Sequence, residues 1–215
     1  MPDDVHCAES TRRVPYATIR PLLRDGDIIL FDGACFLSKV IEKCSHGRYS
    51  HAGIVAWWGD RAMLLQAELP GVQAVPLSVA LGAYDGRTDW WQLKDECRDP
   101  AQIAALLAEA KADLGLPFGV LKLLQMGVHT ILGTPAPTDD LHGPAPAMFC
   151  SEYVGRCFAR AGLTLMADEA IASPEAIADS NDFIFRATIL SEPALEHGGR
   201  RDDDAVRPQA IAGHG

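Results

Sequence analysis

The sequence predicts an α+β fold in which an antiparallel sheet packs against helices. Two observations carry this prediction. Short apolar runs between turn residues fill the chain from Ile28 to Leu93, and another run lies at Phe183–Leu190. Helical patterns follow the first group of runs, from Asp99-Pro100 to about Leu114 and again from Cys150 onward.

The predicted strands occupy residues 28–31, 51–58, 61–68, 71–77, 88–93 and 183–190. Gly59-Asp60 is a two-residue hairpin signal, with glycine at the first central position of the turn. If these two residues form the turn, Trp58 faces Arg61, and His51 faces Glu68 at the far end of the pair. The pairing of the two strands therefore follows from the turn alone.

The remaining segments are predicted as helices, a long loop and two tails. Residues 34–44, the apolar stretch 116–132 and a short segment after Ser173-Pro174-Glu175 read as helices. Gly133–Ala147 holds four prolines and two glycines and is predicted as a long loop, a candidate lid over a site. One domain would then cover residues 14–190, between a flexible arm at 1–13 and a disordered acidic tail at 191–215.

Charge and composition argue against several classes of function. The formal net charge of −10 disfavours nonspecific binding to nucleic acid or to anionic membranes. The start of the chain lacks the apolar core of a signal peptide, and no run of 18 or more apolar residues appears. We therefore expect a cytoplasmic protein without a transmembrane helix, most of whose six cysteines are reduced thiols.

Cys150 is the candidate nucleophile. It stands at the first turn of a predicted helix that Gly162 ends, directly after the proline-rich loop. Unpaired amide groups and the positive end of the helix dipole stabilise a thiolate at such a position. Because most free cysteines are simply small buried residues, the position needs a basic partner before it indicates catalysis.

A histidine and a carboxylate supply that partner. His51 opens a strand, where a sheet would hold its ring, and the hairpin register places Glu68 opposite, with Cβ atoms roughly 4.5–5.5 Å apart. The carboxylate would accept a hydrogen bond from one ring nitrogen and leave the other to take the thiol proton. Gln66, two residues back on the same face, is the alternative partner of the ring if a bulge shifts the register.

Several short motifs, taken in their order, resemble a known family. They are Gly26-Asp27-Ile28-Ile29-Leu30, Ser50-His51-Ala52-Gly53-Ile54-Val55, Gln66-Ala67-Glu68 with Gly71-Val72, Phe149-Cys150-Ser151-Glu152-Tyr153-Val154, and Ala161-Gly162-Leu163. This series resembles the circularly permuted branch of the NlpC-type papain-like cysteine hydrolases, the YiiX-like proteins, over roughly residues 19–190. In ordinary papain-like enzymes the cysteine precedes the histidine, and the reversed order here is what permutation implies.

The resemblance implies a fold, an activity and a set of site residues. The fold would be a permuted papain-like one, with a central antiparallel sheet or partial barrel packed against helices and the nucleophile at a helix N-terminus. The activity would be that of a cysteine peptidase or amidase without metal or cofactor, acting on a small peptide or an acylated, even lipid-like, small molecule. The implied catalytic residues are Cys150 as nucleophile, His51 as base and Glu68 as third polar residue, and those expected to line the substrate site are Tyr49, Ser50, Gln66 and Ser151.

Three other functions remain open at the level of sequence. The first is an acyltransferase that uses the same thioester chemistry. The second is a module that binds a lipid or another small molecule and keeps the fold without the activity. The third is a metal site built from Cys35, Cys44, His46 and His51, although their spacing does not match the usual zinc patterns.

Overall fold

A computed structural model of the protein describes residues 13–33, 48–117, 149–163 and 174–190. The described strands are β1 Arg13–Pro15, β2 Ile28–Asp32, β3 Tyr49–Trp58, β4 Arg61–Glu68, β5 Gly71–Pro76, β6 Arg87–Leu93 and β7 Phe183–Leu190. The described α-helices are α1 Tyr16–Ile19, α2 Leu77–Gly82, α3 Pro100–Ala112, α4 Cys150–Arg160 and α5 Pro174–Ala178. The predicted helix at 34–44, the loop at 133–147, nearly all of the 116–132 stretch and both predicted tails, apart from Arg13, lie outside the described residues.

The seven strands form one sheet in the order β1-β7-β6-β2-β3-β4-β5. All neighbouring strands are antiparallel except β1 and β7, which run parallel. The fold is therefore a mixed α+β fold around a mainly antiparallel sheet, as the sequence predicts. Within the described residues, no helix is long and apolar enough to cross a membrane.

The hairpin between β3 and β4 has the predicted register. Trp58 pairs with Arg61 and Trp57 with Ala62, and the ladder continues without a shift to Gly53 and Gln66. Gly59 has a φ of +63°, a conformation that costs glycine little and that tight hairpin turns require. The prediction that Gly59-Asp60 forms the turn is confirmed.

Both faces of the sheet are covered by apolar residues. Along β2, Ile28 and Leu30 belong to one hydrophobic cluster, and Ile29 and Phe31 belong to another. The first cluster includes residues of α3 and α4, and the second includes residues of α1 and α2. The run Ile28–Phe31 is continuous rather than alternating because each of its faces is buried.

Strands β2, β3 and β6 extend one or two residues beyond their predicted bounds, and two other segments differ more from the sequence prediction. Arg13–Pro15 pairs with Thr188–Leu190 as a short edge strand, so the predicted arm ends at least one residue earlier. The predicted strand at 71–77 ends at Pro76, and Leu77 begins helix α2, in which Leu77 and Leu81 are buried. The four-residue spacing of these two leucines is the helical signal within the segment.

Candidate active site

Helix α4 begins at Cys150, as the sequence predicts. The residue before it, Phe149, is extended, with φ −105° and ψ 170°, and its side chain makes no capping hydrogen bond. A phenyl ring has no acceptor for the first-turn amide groups, so this helix start keeps the partial positive charge that favours an anion. The first turn itself contains one carboxylate, that of the buried Glu152.

The core holds helix α4 rigidly and thereby fixes the position of the thiol. Val154, Cys157 and Phe158 are fully buried against the sheet. The hydroxyl of Tyr153, also buried, donates a 2.8 Å hydrogen bond to the carbonyl oxygen of Ala110 in α3. Cys150 itself is only half-buried, so a thiol on a rigid helix remains reachable.

The thiol lies against the start of strand β3. The sulfur of Cys150 is 4.0 Å from the carbonyl oxygen of Ser50, the residue before His51. The register between β2 and β3 slips here, because Phe31 pairs with His51 while Asp32 pairs with Tyr49. Ser50 is thus the extra residue of a β-bulge, a feature that re-aims side chains and is frequent beside active sites.

The imidazole of His51 is bonded to Gln66 rather than directly to Glu68. The Nε2 atom of His51 and the Oε1 atom of Gln66 are 2.9 Å apart, and the Nε2 atom of Gln66 donates to Glu68 over 2.8 Å. The register has not shifted, but the ladder ends at the Gly53–Gln66 pair, before His51 would oppose Glu68. Diagonal neighbours come within reach of long side chains, which explains the contact to Gln66.

Burial lowers the pKa of His51 below its ordinary value. The hydrogen bond to Gln66 and the negative charge of Glu68 oppose this shift without reversing it. The ring also packs at 5.2 Å from the ring of Phe31, which adds apolar surroundings. The neutral imidazole, the form able to accept a proton, is therefore favoured at neutral pH.

The cysteine helix and the imidazole approach β3 from different faces. Helix α4 packs in the cluster that contains Ala52 and Ile54, whereas Val55, which shares the side of β3 with His51, lies in the other cluster. The contact of the Cys150 sulfur with β3 lies at the N-terminal end of this strand, at the carbonyl oxygen of Ser50. The bulge at Ser50 lies at that end.

Two residues that were predicted to line the substrate site, Tyr49 and Ser151, are buried in the protein interior. Tyr49 is 2% exposed, and its hydroxyl donates a 2.7 Å hydrogen bond to the buried carboxylate of Asp89. Ser151 is 1% exposed, and within the described residues its hydroxyl has no hydrogen-bond partner. Both hydroxyl groups are therefore shielded from solvent, and their expected role in lining the substrate site stays a prediction.

Two carboxylates that the sequence analysis did not single out hold the start of β3. One oxygen of Glu175, in α5, accepts the backbone N–H groups of Arg48 and Tyr49 at 2.6 and 3.0 Å. Asp89 accepts from the side chains of Arg48 and Tyr49, and also from Arg87 and Thr188. All of these partners except Arg87 are distant in sequence, and periodicity alone gives no signal for such contacts.

A metal centre has no support in the described part of the chain. There, no group of three or more His, Cys, Asp or Glu side chains could hold an ion. Of the four residues in the alternative metal reading, Cys35, Cys44 and His46 lie outside the described residues. The donor set present around His51 consists of one imidazole, one amide and one carboxylate bonded to that amide.

Comparison with known proteins gives a fold relationship. No family model matches the sequence, and no curated protein matches it. The structure is similar to the crystal structure of metalloprotein yiiX from Escherichia coli O157:H7, with a TM-score of 0.56 and 18% sequence identity. The match covers 77% of this chain and 97% of that one. The protein is thus similar to yiiX in fold.

Proposed function

We propose that this protein is a thiol-dependent hydrolase with a circularly permuted papain-like arrangement, which cleaves an amide or ester bond through an acyl-thioester on Cys150. The observation that carries the proposal is the 4.0 Å contact between the Cys150 sulfur and the Ser50 carbonyl oxygen. This contact puts a thiol at a helix N-terminus one residue away from a histidine whose ring is held by hydrogen bonding.

The proposed reaction begins with proton transfer from the thiol to His51. The Nε2 atom of the ring faces Gln66, so the Nδ1 atom is the one that accepts the proton. The thiolate attacks the substrate carbonyl carbon, a carbon–sulfur bond forms, and the carbonyl electron pair moves onto oxygen. Collapse of this intermediate breaks the bond to the leaving amine or alcohol, which takes its proton from the imidazolium.

The second half of the reaction uses water. His51 accepts a proton from water, and the hydroxide formed attacks the thioester carbon. The carbon–sulfur bond then breaks to release the acid and the Cys150 thiolate, which takes the proton back from the His51 imidazolium. The backbone N–H of Cys150 lies at the helix start and stabilises the oxyanion of both intermediates. No cofactor enters either step.

The proposed substrate is a small peptide or an acylated small molecule. The motif resemblance to NlpC-type hydrolases supports this class. The same thioester would serve an acyltransferase if an alcohol or amine replaced water as the acceptor.

The proposal predicts turnover that depends on two side chains. A panel of acyl-amides and acyl-esters, analysed by mass spectrometry of the products, should contain at least one compound that the wild type hydrolyses. Cys150→Ala and His51→Ala should each lower kcat/KM by about 10³-fold or more, since an enzyme of this type loses most of its activity without its nucleophile or its base.

The products separate the alternatives. Free acid indicates a hydrolase, and acyl transfer to an added alcohol or amine indicates a transferase. If the folded wild type turns over nothing while it binds panel members, the non-enzymatic binding function replaces the proposed one.

A further inference from the structure

Polar side chains on one face of β3, β4 and β5 form a hydrogen-bonded row that starts at the imidazole. His51 is bonded to Gln66, Gln66 donates to Glu68 over 2.8 Å, and Gln73 donates to the same Glu68 oxygen over 3.3 Å. Gln66 and Gln73 are direct cross-strand partners and so share a face. The row runs from the partly buried ring to the exposed carboxylate.

The chemistry of the row permits one hydrogen-bonding direction. An ionised carboxylate only accepts hydrogen bonds, so Glu68 must face the NH₂ end of the Gln66 amide. The amide oxygen of Gln66 then faces His51, and because this oxygen also only accepts, the Nε2 atom of the ring must carry the proton. Nδ1 is left with a lone pair, which is the form that can accept a proton from a thiol.

The opposite amide orientation would give the opposite tautomer. It would turn the Gln66 oxygen toward the Glu68 carboxylate, where two acceptors repel, and the NH₂ group toward the ring. The ring would then carry its proton on Nδ1 and could not act as the base there. Because Gln66 is only 4% exposed, water has little access to satisfy the amide in this second orientation.

We propose that Glu68 is a positioning residue, which locks the amide orientation of Gln66 and through it selects the Nε2-protonated tautomer of His51. Glu68 does not contact the reacting atoms and acts on them only through Gln66 and His51. Its catalytic consequence rests on the proposed function, whereas its effect on the tautomer does not.

The test reads the tautomer directly by ¹⁵N NMR of the full chain labelled on histidine. The experiment uses a Cys150→Ala background, at a pH at which the imidazole is neutral, and His51→Ala in that background assigns the His51 signals among the seven histidines. With Glu68 present, the spectrum should show a protonated Nε2 and an unprotonated Nδ1. With Glu68→Gln, whose amide can offer either end to Gln66, the two tautomers should become mixed.

Two further variants separate positioning from a general disturbance. Glu96→Gln removes an exposed carboxylate from a short 3-10 helix and should leave the tautomer unchanged. In a Gln66→Leu background, Glu68→Gln should cause no further change in the tautomer ratio, because the connecting amide is gone. A single Nε2-protonated form in Glu68→Gln, or an equal effect of Glu68→Gln with and without Gln66, would overturn the proposal.

Enzymatic activity, measured in the protein that retains Cys150, gives a second readout. Glu68→Gln should lower kcat by about 10-fold, less than Cys150→Ala or His51→Ala, since a wrong tautomer disables the base but a mixed population keeps part of it. A changed tautomer without any acylation in the wild type would contradict the proposed hydrolase and leave the positioning role intact. Normal acylation with an unchanged tautomer in Glu68→Gln would contradict only the positioning role.

Discussion

At the scale of single residues, the state of His51 is set by a competition between burial and two polar neighbours. Burial lowers the pKa of the ring, while the hydrogen bond to Gln66 and the charge of Glu68 raise it by less. The ring is consequently neutral over a wider range of pH than an exposed histidine. A neutral ring whose Nε2 faces Gln66 is ready to take a proton at Nδ1.

This competition predicts the pH dependence of acylation. Protonation of His51 removes the base, so the acylation rate should fall as the pH falls, with an apparent pKa below the ordinary histidine value of 6.5. The measurement is the rate of acylation by an activated acyl ester against pH, read by stopped-flow absorbance.

The Glu68 charge supplies an internal check on the sign of that prediction. Glu68→Gln removes a charge that raises the pKa of His51, so the acid limb should move to lower pH, while Glu96→Gln should leave it in place. An acid limb above 6.5 would show that burial does not control the pKa of His51. An upward shift of the limb in Glu68→Gln would show that the charge of Glu68 does not raise this pKa.

The sequence predicts much of this residue-scale picture but misassigns one contact. The turn residues Gly59-Asp60 are enough to align β3 with β4, and His51, Gln66 and Glu68 share a face as predicted. Which of the two side chains touches the ring depends on where the ladder ends and how the ring leans along the strand. Neither quantity is encoded in an alternating pattern.

At the scale of elements, residues 115–117 pair with the start of β5 and cover its outer edge. Their close approach requires a glycine at position 71 of β5. The N–H of Val72 donates to Leu116 over 2.8 Å, and the N–H of Gly115 donates to Val72 over 2.8 Å. Gly71 bridges to Pro117, and a Cβ atom at position 71 would collide with the backbone oxygen of Leu116. This contact covers an edge that would otherwise be free to pair.

Gly71→Ala should therefore lower the free energy of unfolding by about 1–3 kcal/mol, as overpacking against a backbone atom does. Urea unfolding followed by circular dichroism measures the change. Gly82→Ala is the matched control, because a Cβ there meets nothing within 4 Å, and its effect should be neutral or stabilising. Equal destabilisation by the two substitutions would mean that the close approach of Leu116 is not what position 71 requires.

Elements differ in how far local sequence determines them. Strand β4 and strand β7 have the predicted bounds, because their apolar runs are flanked by turn residues. Strand β1 is three residues long, contains Pro15, and is stabilised by pairing with the distant end of β7. Only its partner makes it a strand, so no pattern within Arg13–Pro15 could reveal it.

At the scale of the whole molecule, the sheet brings together residues that are far apart in the chain. Helix α4 packs against β3 and β4 on one face, and the bulge at Ser50 lies where the thiol reaches the end of β3. The histidine strand precedes the cysteine helix in the chain. The similarity in fold to yiiX extends over 77% of the chain.

The other described cysteines provide matched controls for the central claim. Cys157 is fully buried, and burial raises the pKa of its thiol well above the ordinary value. Burial and the charge of Asp182 also raise the pKa of Cys97. Both thiols should be poor nucleophiles at neutral pH, in contrast to Cys150 at its helix start.

The most direct test of the central claim is intact-mass spectrometry of the protein after brief exposure to activated acyl esters. The wild type and Cys157→Ala should each gain the mass of one acyl group, located on Cys150 by peptide mapping, and Cys150→Ala should gain none. An adduct that persists in folded Cys150→Ala, that maps to Cys97, or that never forms on the folded wild type would contradict an acyl-thioester mechanism at Cys150.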